Sequence, residues 1–254
     1  MNKPLIRSWS FSRLSEFEMC AYRTKLKVID KIPEPERELK KGQTEHANDR
    51  GTRIHELCEG FLRNKNPLPP EAEKFREDFE SLKTRFKAGN VSLEGEWGFD
   101  DEWQPCDYNK AWLRVKCDAV AHLSPKHIVV IDYKTGRKHG NEIKHGEQVQ
   151  LYALSAAIRY PEAEVIDVEL WYLDQDDLTH ESKPANKWLY HLKPFNNRGR
   201  KMMNETKWKP NPNVFSCNYC PYRLGDPAPC EHAVDMEAER MKKARQQLFA
   251  RKNS

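Results

Sequence analysis

The sequence predicts an α/β fold with a central mixed β-sheet flanked by helices. Three observations lead to this prediction. The chain has 254 residues, of which 38% are hydrophobic, and this is enough for a sizeable core. Helical periodicity dominates residues 10–87, whereas short β-prone runs begin at residue 92. The order of helices, three strands, a helix and two strands is typical of one sheet with helices on its faces.

Three helices are predicted before the first strand. The first covers residues 10–30, with Ser12 as its N-cap. Residues 31–50 are polar and contain two prolines, which indicates a loop. A second helix begins near Gly51, where apolar residues recur at helical spacing, and a third covers residues 71–87.

The β-prone part of the chain gives five predicted strands, which are residues 92–100, 110–123, 126–136, 165–174 and 186–193. The helix between the third and fourth strands begins at about Glu147 and is ended by Pro161. After the last strand, the sequence predicts helical residues near 197–205. A proline-rich, cysteine-containing stretch follows at 209–230, and a charged helix over 233–252 closes the chain.

We expect these elements to form one domain over residues 1–254. Within it, residues 1–90 are the N-terminal helical part, and residues 91–195 are the core that contains the sheet. Residues 196–254 are a C-terminal region with the clustered cysteines and the last helix.

Composition describes a polar chain that does not enter a membrane. Charged residues make up 32% of it, and no run approaches the roughly 18 apolar residues of a membrane span. The N-terminal residues lack the apolar stretch of a secretory signal, so we expect a cytoplasmic location, in the host cell if the protein is viral. The net charge of +4 neither requires nor opposes a polyanionic partner.

A carboxylate and an ammonium group end the most apolar predicted strand. The run 128–131 is followed by Asp132, and Lys134 lies two residues later. Because residues i and i+2 of a strand point to the same side, these two side chains face one point. Phosphodiester hydrolysis needs a hard cation, an activated water and stabilisation of the leaving oxygen, and Mg²⁺ takes carboxylate ligands. A surface salt bridge is the simpler interpretation of the pair alone.

Two further side chains are candidates for the same site. Asp118 precedes the turn near Ser124, and a hairpin through that turn would bring Asp118 near Asp132. His55 lies in the second helix, four residues after Gly51. Singly, such an Asp is typical of a turn and such a His of a polar helix surface. Their ordered occurrence together indicates a site.

The order of these segments resembles the PD-(D/E)XK nuclease superfamily, and within it the RecB-like exonucleases. That branch includes the nuclease domains of recombination helicases and the CRISPR-associated iron–sulfur exonucleases. The matching segments are GTRIH, VKCDAV, VVIDYKTG and QVQLY. The resemblance implies a restriction-endonuclease-like core and a metal-dependent deoxyribonuclease.

The resemblance also implies a role for each matched residue. The Mg²⁺ or Mn²⁺ ligands would be His55, Asp118, Asp132 and the backbone carbonyl of Tyr133. Asp118, Asp132 and Lys134 would be catalytic, with the lysine orienting or activating the attacking water.

A further matched pair would position the DNA. Gln148 and Tyr152 lie four residues apart and therefore on one face of the predicted helix. Hydrogen bonding and packing by these two side chains would place the DNA strand near the metal.

Cys217, Cys220 and Cys230 cluster with the spacing Cys-x2-Cys-x9-Cys. In relatives, a similar trio joins a cysteine of the opening helix to hold a [4Fe–4S] cluster, and Cys20 lies at the matching place. Such a cluster would clasp the N- and C-terminal regions together. A structural Zn²⁺ held by the trio and His232 is the alternative. Free thiols are the simplest interpretation.

Three functions fit this set of residues. We expect a DNA exonuclease acting on single strands or duplex ends, in recombination, repair, or phage or CRISPR DNA processing. A structure-specific endonuclease or a CRISPR adaptation factor on the same site is the first alternative, and a non-catalytic DNA-binding module with a structural metal site is the second. The sequence has no GxxxxGK[ST] phosphate loop, so a helicase or recombination partner would be a separate chain.

Overall fold

The computed structural model describes residues 6–39, 42–136 and 138–242. They fall into two compact units. The larger unit contains the described residues within 8–11 and 39–199, and the smaller one contains those within 1–7, 12–38 and 200–254. That residues 1–254 form one domain stays a prediction.

The larger unit is built on a mixed β-sheet, which confirms the predicted fold class. Its strands are β1 (Val91–Phe99), β2 (Pro105–Cys106), β3 (Leu113–Ser124), β4 (His127–Lys134), β5 (Val165–Tyr172) and β6 (Asp177–Pro184). In the described residues their order across the sheet is β2–β1–β3–β4–β5–β6. Strands β4 and β5 run parallel, and the other neighbouring strands are antiparallel. A parallel pair needs a crossover connection, which a helix supplies here.

Helices are found in both units and are numbered along the chain. They are α1 (Phe11–Met19), α2 (Ala21–Thr24), α3 (Ala47–Leu62), α4 (Arg76–Lys87), α5 (Glu142–Arg159), α6 (Ala185–Trp188), α7 (Leu192–Met203) and α8 (Val214–Asn218).

The two faces of β4 pack against different helices. Ile131 and Tyr133 belong to a buried cluster with Ile54 of α3 and Phe79 of α4. Residues alternate between the faces of a strand, so Asp132 points to the opposite face. Helix α5, which connects β4 to β5, packs there. The acidic residue at the end of β4 therefore lies under α5, on the face opposite this cluster.

The second strand predicted after α5 is wrong. Residues 186–193 are helical, because α6 is followed by a 3₁₀ turn at Leu189–His191 and by α7. The buried side chains Trp188 and Phe195 lie seven residues apart, which is two helical turns. The strand that pairs with β5 is β6. Its residues alternate only between intermediate and exposed, so no apolar alternation marks it in the sequence.

Several predicted helix boundaries are also shifted. Helix α3 begins at Ala47, inside the predicted loop, and α5 begins at Glu142 rather than Glu147. Helix α4 begins at Arg76 after a 3₁₀ turn at Pro70–Phe75. The first turns of α3 and α5 are largely exposed to solvent, so apolar periodicity marks only the buried part of each helix and not its beginning.

The smaller unit joins segments from the two ends of the described chain. The Nδ2 of Asn211 donates a hydrogen bond to the carbonyl of Met19 at 3.0 Å. The Tyr222 hydroxyl donates to the carbonyl of Ile32, 190 residues away, at 2.9 Å. These long-range hydrogen bonds hold the cysteine-containing stretch against the opening segment.

Cys20 interrupts the opening helix. Helix α1 ends at Met19 and α2 begins at Ala21, with Cys20 in an extended conformation between them (φ −161°, ψ 106°). Helix α1 begins at Phe11, so Ser12 lies inside it and is not its N-cap.

The predicted charged helix at the C-terminus is described in part. Residues 236–242 are helical, and residues 243–252 of that prediction lie outside the described residues. Over the residues that the structure describes, no helix combines the length and the apolar character needed to cross a bilayer.

Candidate active site

The hairpin of β3 and β4 brings Asp118 and Asp132 together. Its pairing ends with Ala119 opposite Ile131. One further step in the same register sets Asp118 opposite Asp132, where the two strands part. On its other side, Asp132 is paired with Leu170 of the parallel strand β5. Both carboxylates therefore lie where the pairing between β3 and β4 ends.

His55 and the backbone of β4 hold the two oxygens of Asp118. The Nδ1 of His55 donates to Asp118 Oδ1 at 2.8 Å, and the backbone N–H of Tyr133 donates to Asp118 Oδ2 at 2.5 Å. The ring of His55 also lies edge-on to the ring of Tyr133, with the ring centres 5.8 Å apart. The sequence singled out Tyr133 for its carbonyl, but its amide was not foreseen as a donor.

Lys134 begins a chain of polar contacts that runs into α5. Its Nζ lies 2.5 Å from Asp132 Oδ2 and donates to Gln148 Oε1 at 2.8 Å. The Nε2 of Gln148 donates to the Tyr152 hydroxyl at 2.6 Å, and that hydroxyl donates to Asp132 Oδ1 at 3.1 Å. Gln148 and Tyr152 therefore contact the candidate catalytic groups directly. Their role toward DNA stays a prediction.

A cavity of about 450 Å³ opens beside His55 and Asp118. Glu94 of β1 and Lys116 of β3 line it and form an ion pair with each other. The other lining residues are Gly51, Thr52, Glu56 and Glu59. Lys116 was not predicted from the sequence as a site residue. It lies two residues before Asp118 on the same strand and therefore points to the same face.

His145 is a second residue near the site that was not predicted from the sequence. It lies in α5, one turn before Gln148, and its Nδ1 is 2.9 Å from the Tyr172 hydroxyl. Burial, followed by the positive charge of Lys134, lowers the pKa of His145 to about 4. The imidazole is therefore neutral at pH 7. Its three-residue spacing from Gln148 on one helix face was the available signal.

Burial and charge shift the pKa values of the site in opposing ways. Burial disfavours the charged imidazole of His55, but its hydrogen bond to Asp118 and the charges of Asp118 and Asp132 outweigh this and raise its pKa. Burial and the charge of Asp132 raise the pKa of Asp118 against the opposing contact with His55. Burial raises the pKa of Tyr152 well above its usual value, which keeps its hydroxyl able to donate.

We expect His55→Gln to destabilise the metal-free protein more at pH 6 than at pH 9. The folded-state pKa of His55 is raised, so its stabilising contribution is fully present below the unfolded value of about 6.5 and is lost as pH rises through the folded value. The expected cost at pH 6 is about 1.5–3 kcal/mol, typical of a hydrogen bond to a charged group. Urea unfolding in a chelator at both pH values measures it. A cost that grew with pH would contradict the assignment.

The four candidate cluster ligands line one cavity in the smaller unit. The cavity is lined by Cys20, Cys217, Cys220 and Cys230, and also by His232. The backbone N–H of Asn211 donates to Cys20 Sγ at 3.5 Å. Burial raises the pKa of Cys220 and Cys230, and nearby cysteines add to the effect. All four cysteines are free of disulfides.

Among the residues that the structure describes, no group of three or more His, Cys, Asp or Glu side chains is arranged to hold a metal ion. Each oxygen of Asp118 and Asp132 already contacts a protein group. The donor types nevertheless fit: oxygen ligands with one imidazole suit Mg²⁺ or Mn²⁺, and four thiols suit an iron–sulfur cluster or zinc.

Comparison with known proteins identifies the family to which the chain belongs. The family model of the PD-(D/E)XK nuclease superfamily, whose members typically use Mg²⁺ or Mn²⁺ to hydrolyse nucleic acids, matches residues 8–224. No curated protein matches the chain. The crystal structure of SSO0001 matches with 15% identity and a TM-score of 0.39, over 89% of this chain and 88% of that chain. The family match covers most of the chain and contains the whole carboxylate site. The chain therefore belongs to the PD-(D/E)XK nuclease superfamily.

Proposed function

We propose that the chain is a metal-dependent DNA exonuclease of the RecB-like branch, which degrades DNA from single-stranded or duplex ends. One observation carries the proposal. His55, Asp118, Asp132 and Lys134, which lie as far as 79 residues apart in the sequence, converge at the end of β4 beside an open cavity.

The proposed roles follow from the contacts. When bound, Mg²⁺ or Mn²⁺ offsets charge on the phosphate oxygens and lowers the pKa of a bound water. Asp118, Asp132, His55 and the carbonyl of Tyr133 would hold it. Lys134, whose ammonium group lies between Asp132 and Gln148, orients the attacking water and offsets the negative charge that develops.

Gln148 and Tyr152 support this arrangement from α5. Gln148 accepts from Lys134 and donates to Tyr152, so the amide fixes both neighbours in one orientation. Displacement of either contact by a DNA phosphate or sugar would couple substrate binding to the position of Lys134. We propose this coupling as the way in which the pair positions the DNA strand.

The proposed function includes a [4Fe–4S] cluster held by Cys20, Cys217, Cys220 and Cys230. Their common cavity supports it, because these thiols come from segments about two hundred residues apart and no disulfide uses them. Thiols must lose their protons on binding a metal, and the raised pKa values of Cys220 and Cys230 in the metal-free state make that binding pH-dependent. Zinc held by the trio and His232 is the alternative ligand set. We also propose that a helicase or recombination protein on a separate chain supplies the DNA ends.

The test uses end-labelled linear DNA, single-stranded and duplex, beside circular single-stranded DNA. We expect linear DNA to be degraded in Mg²⁺ or Mn²⁺ and not in a chelator, with Ca²⁺ supporting binding but little turnover. Cleavage of the circles would support the endonuclease alternative. Binding without cleavage in any metal would support the non-catalytic module.

His55→Gln and His127→Gln form a matched pair for the same assay. Each removes a His–Asp contact, of 2.8 Å for His55 and 2.7 Å for His127, but His127 lies at the opposite end of β4. We expect His55→Gln to lower the rate by about 10- to 100-fold and His127→Gln to leave it unchanged. Equal losses in both variants would reject the metal-binding role of His55.

A further inference from the structure

The loop that follows Lys134 is held by side chains far from it in sequence. The carbonyl of Thr135 accepts a hydrogen bond from Arg50 Nη1 at 3.0 Å. The carbonyl of Gly136 accepts one from Gln175 Nε2 at 2.8 Å. Two successive carbonyls of this loop are thus fixed by donors from α3 and from the turn between β5 and β6.

The same donors are tied to each other and to β4. The guanidinium of Arg50 makes two parallel contacts with the carboxylate of Asp174, at 2.9 and 2.7 Å. Next to Asp174, the backbone N–H of Leu173 donates to the carbonyl of Lys134 at 3.0 Å. A bidentate Arg–carboxylate pair has a fixed geometry that a single contact lacks, so the β5–β6 turn and the start of α3 hold each other in place.

The first turn of α3 also fits closely against this loop. A Cβ atom at Gly51 would lie 3.2 Å from Thr135 Oγ1, so the helix packs closely against the loop and a larger residue at this position would crowd Thr135. One turn later the same helix places His55 on Asp118. A single rigid element therefore contacts both sides of the site.

We propose that Arg50, anchored by Asp174 and assisted by Gln175, is a positioning residue for Lys134. The catalytic role of Lys134 rests on the proposed function, whereas the effect of Arg50 on the position of the Lys134 side chain does not. A lysine has a flexible four-carbon stem, and its side chain keeps one position only if the backbone that carries it is fixed. Arg50 fixes that backbone at the residue after Lys134, and the contacts of Lys134 with Asp132 and Gln148 then define where the ammonium group lies.

Arg50→Gln tests this inference, and Arg53→Gln is its control. Arg53 lies on the same helix and pairs with Glu45 and Glu71 at 2.7 and 2.9 Å, but it makes no described contact with the loop. We expect Arg50→Gln to lower kcat by about 10- to 100-fold with little change in KM, because misplacement of a catalytic group affects the transition state more than substrate binding. Arg50→Lys should recover part of the loss. Arg53→Gln should keep the wild-type kcat.

Asp174→Ala provides a second variant that does not alter α3. If Asp174 acts through Arg50, its effect on kcat should resemble that of Arg50→Gln, and the double variant should be no worse than either single one. Fully additive effects would contradict an action through Arg50.

A measurement without DNA separates this inference from the proposed function. Lys134 is 16% exposed and should react slowly in reductive methylation followed by mass spectrometry, whereas Lys126, at 66%, serves as the internal reference. We expect Arg50→Gln to increase the labelling of Lys134 several-fold and Arg53→Gln to leave it unchanged. If no variant, including the wild type, hydrolyses DNA, the proposed function fails but the labelling still decides the inference. Equal labelling of Lys134 in Arg50→Gln and Arg53→Gln would overturn it.

Discussion

Lys134→Ala is expected to reduce DNA hydrolysis by at least about 10²–10³-fold, the usual loss when a group that stabilises transition-state charge is removed. The ammonium group lies 2.5 Å from Asp132 Oδ2 and 2.8 Å from Gln148 Oε1. Lys134 therefore supplies the positive charge between these two acceptors. Single-turnover cleavage of end-labelled DNA in Mg²⁺ measures the effect.

The matched control is Lys126→Ala, which also removes an ion pair of 2.5 Å, with Glu164, at the other end of β4. It should keep the wild-type rate. Because Lys134→Ala leaves the buried Asp132 carboxylate without its positively charged partner, Lys134→Gln is the second variant. Its amide can still donate to Asp132 but carries no charge. A folded Lys134→Gln protein that cleaved DNA at the normal rate would reject the catalytic role.

Cys20→Ala is expected to abolish cluster binding and to destabilise the smaller unit. Protein purified without oxygen should be brown and contain iron and acid-labile sulfide, and Cys20→Ala should be colourless. The stability loss should be of the order of several kcal/mol, because a metal bound only by the folded state contributes its binding free energy to folding. The contribution of the cluster adds to that of the hydrogen bonds between these segments, such as the one from Asn211 to Met19, which Cys20→Ala leaves in place.

Two variants make this result specific. Cys106→Ala removes another half-buried free thiol, in the larger unit, and should leave colour and stability unchanged. His232→Ala should also leave the colour unchanged, although His232 lines the same cavity. The zinc alternative predicts the reverse: a colourless wild type, indifference to Cys20→Ala and damage by His232→Ala. Zinc without iron or sulfide in material purified without oxygen would end the cluster proposal.

The fold class was predictable because burial leaves a local pattern in the sequence. The apolar run before Asp132 is a strand covered on both faces, and the apolar spacing after Gly51 is a helix with one buried face. Where burial leaves no pattern, the prediction was wrong. Strand β6 is a polar edge strand, and the buried residues Trp188 and Phe195 belong to helical segments rather than to a strand.

The order of the candidate site residues was also visible in the sequence, but their contacts were not. The amide of Tyr133 that holds Asp118 depends on the point at which β3 and β4 part. The extended conformation of Cys20 depends on the break between α1 and α2, in a segment that periodicity presents as continuous helix.

The sequence by itself determined the residue types of the site, their order along the chain and the strand end that carries Asp132 and Lys134. The tertiary structure alone decided which distant groups support them. Arg50 and Asp174 are 124 residues apart, and they meet because β5 pairs in parallel with β4 after a helical crossover. Side-chain periodicity records which face of an element is buried, but not which element covers it, so contacts of this kind follow only from the packing of the whole sheet.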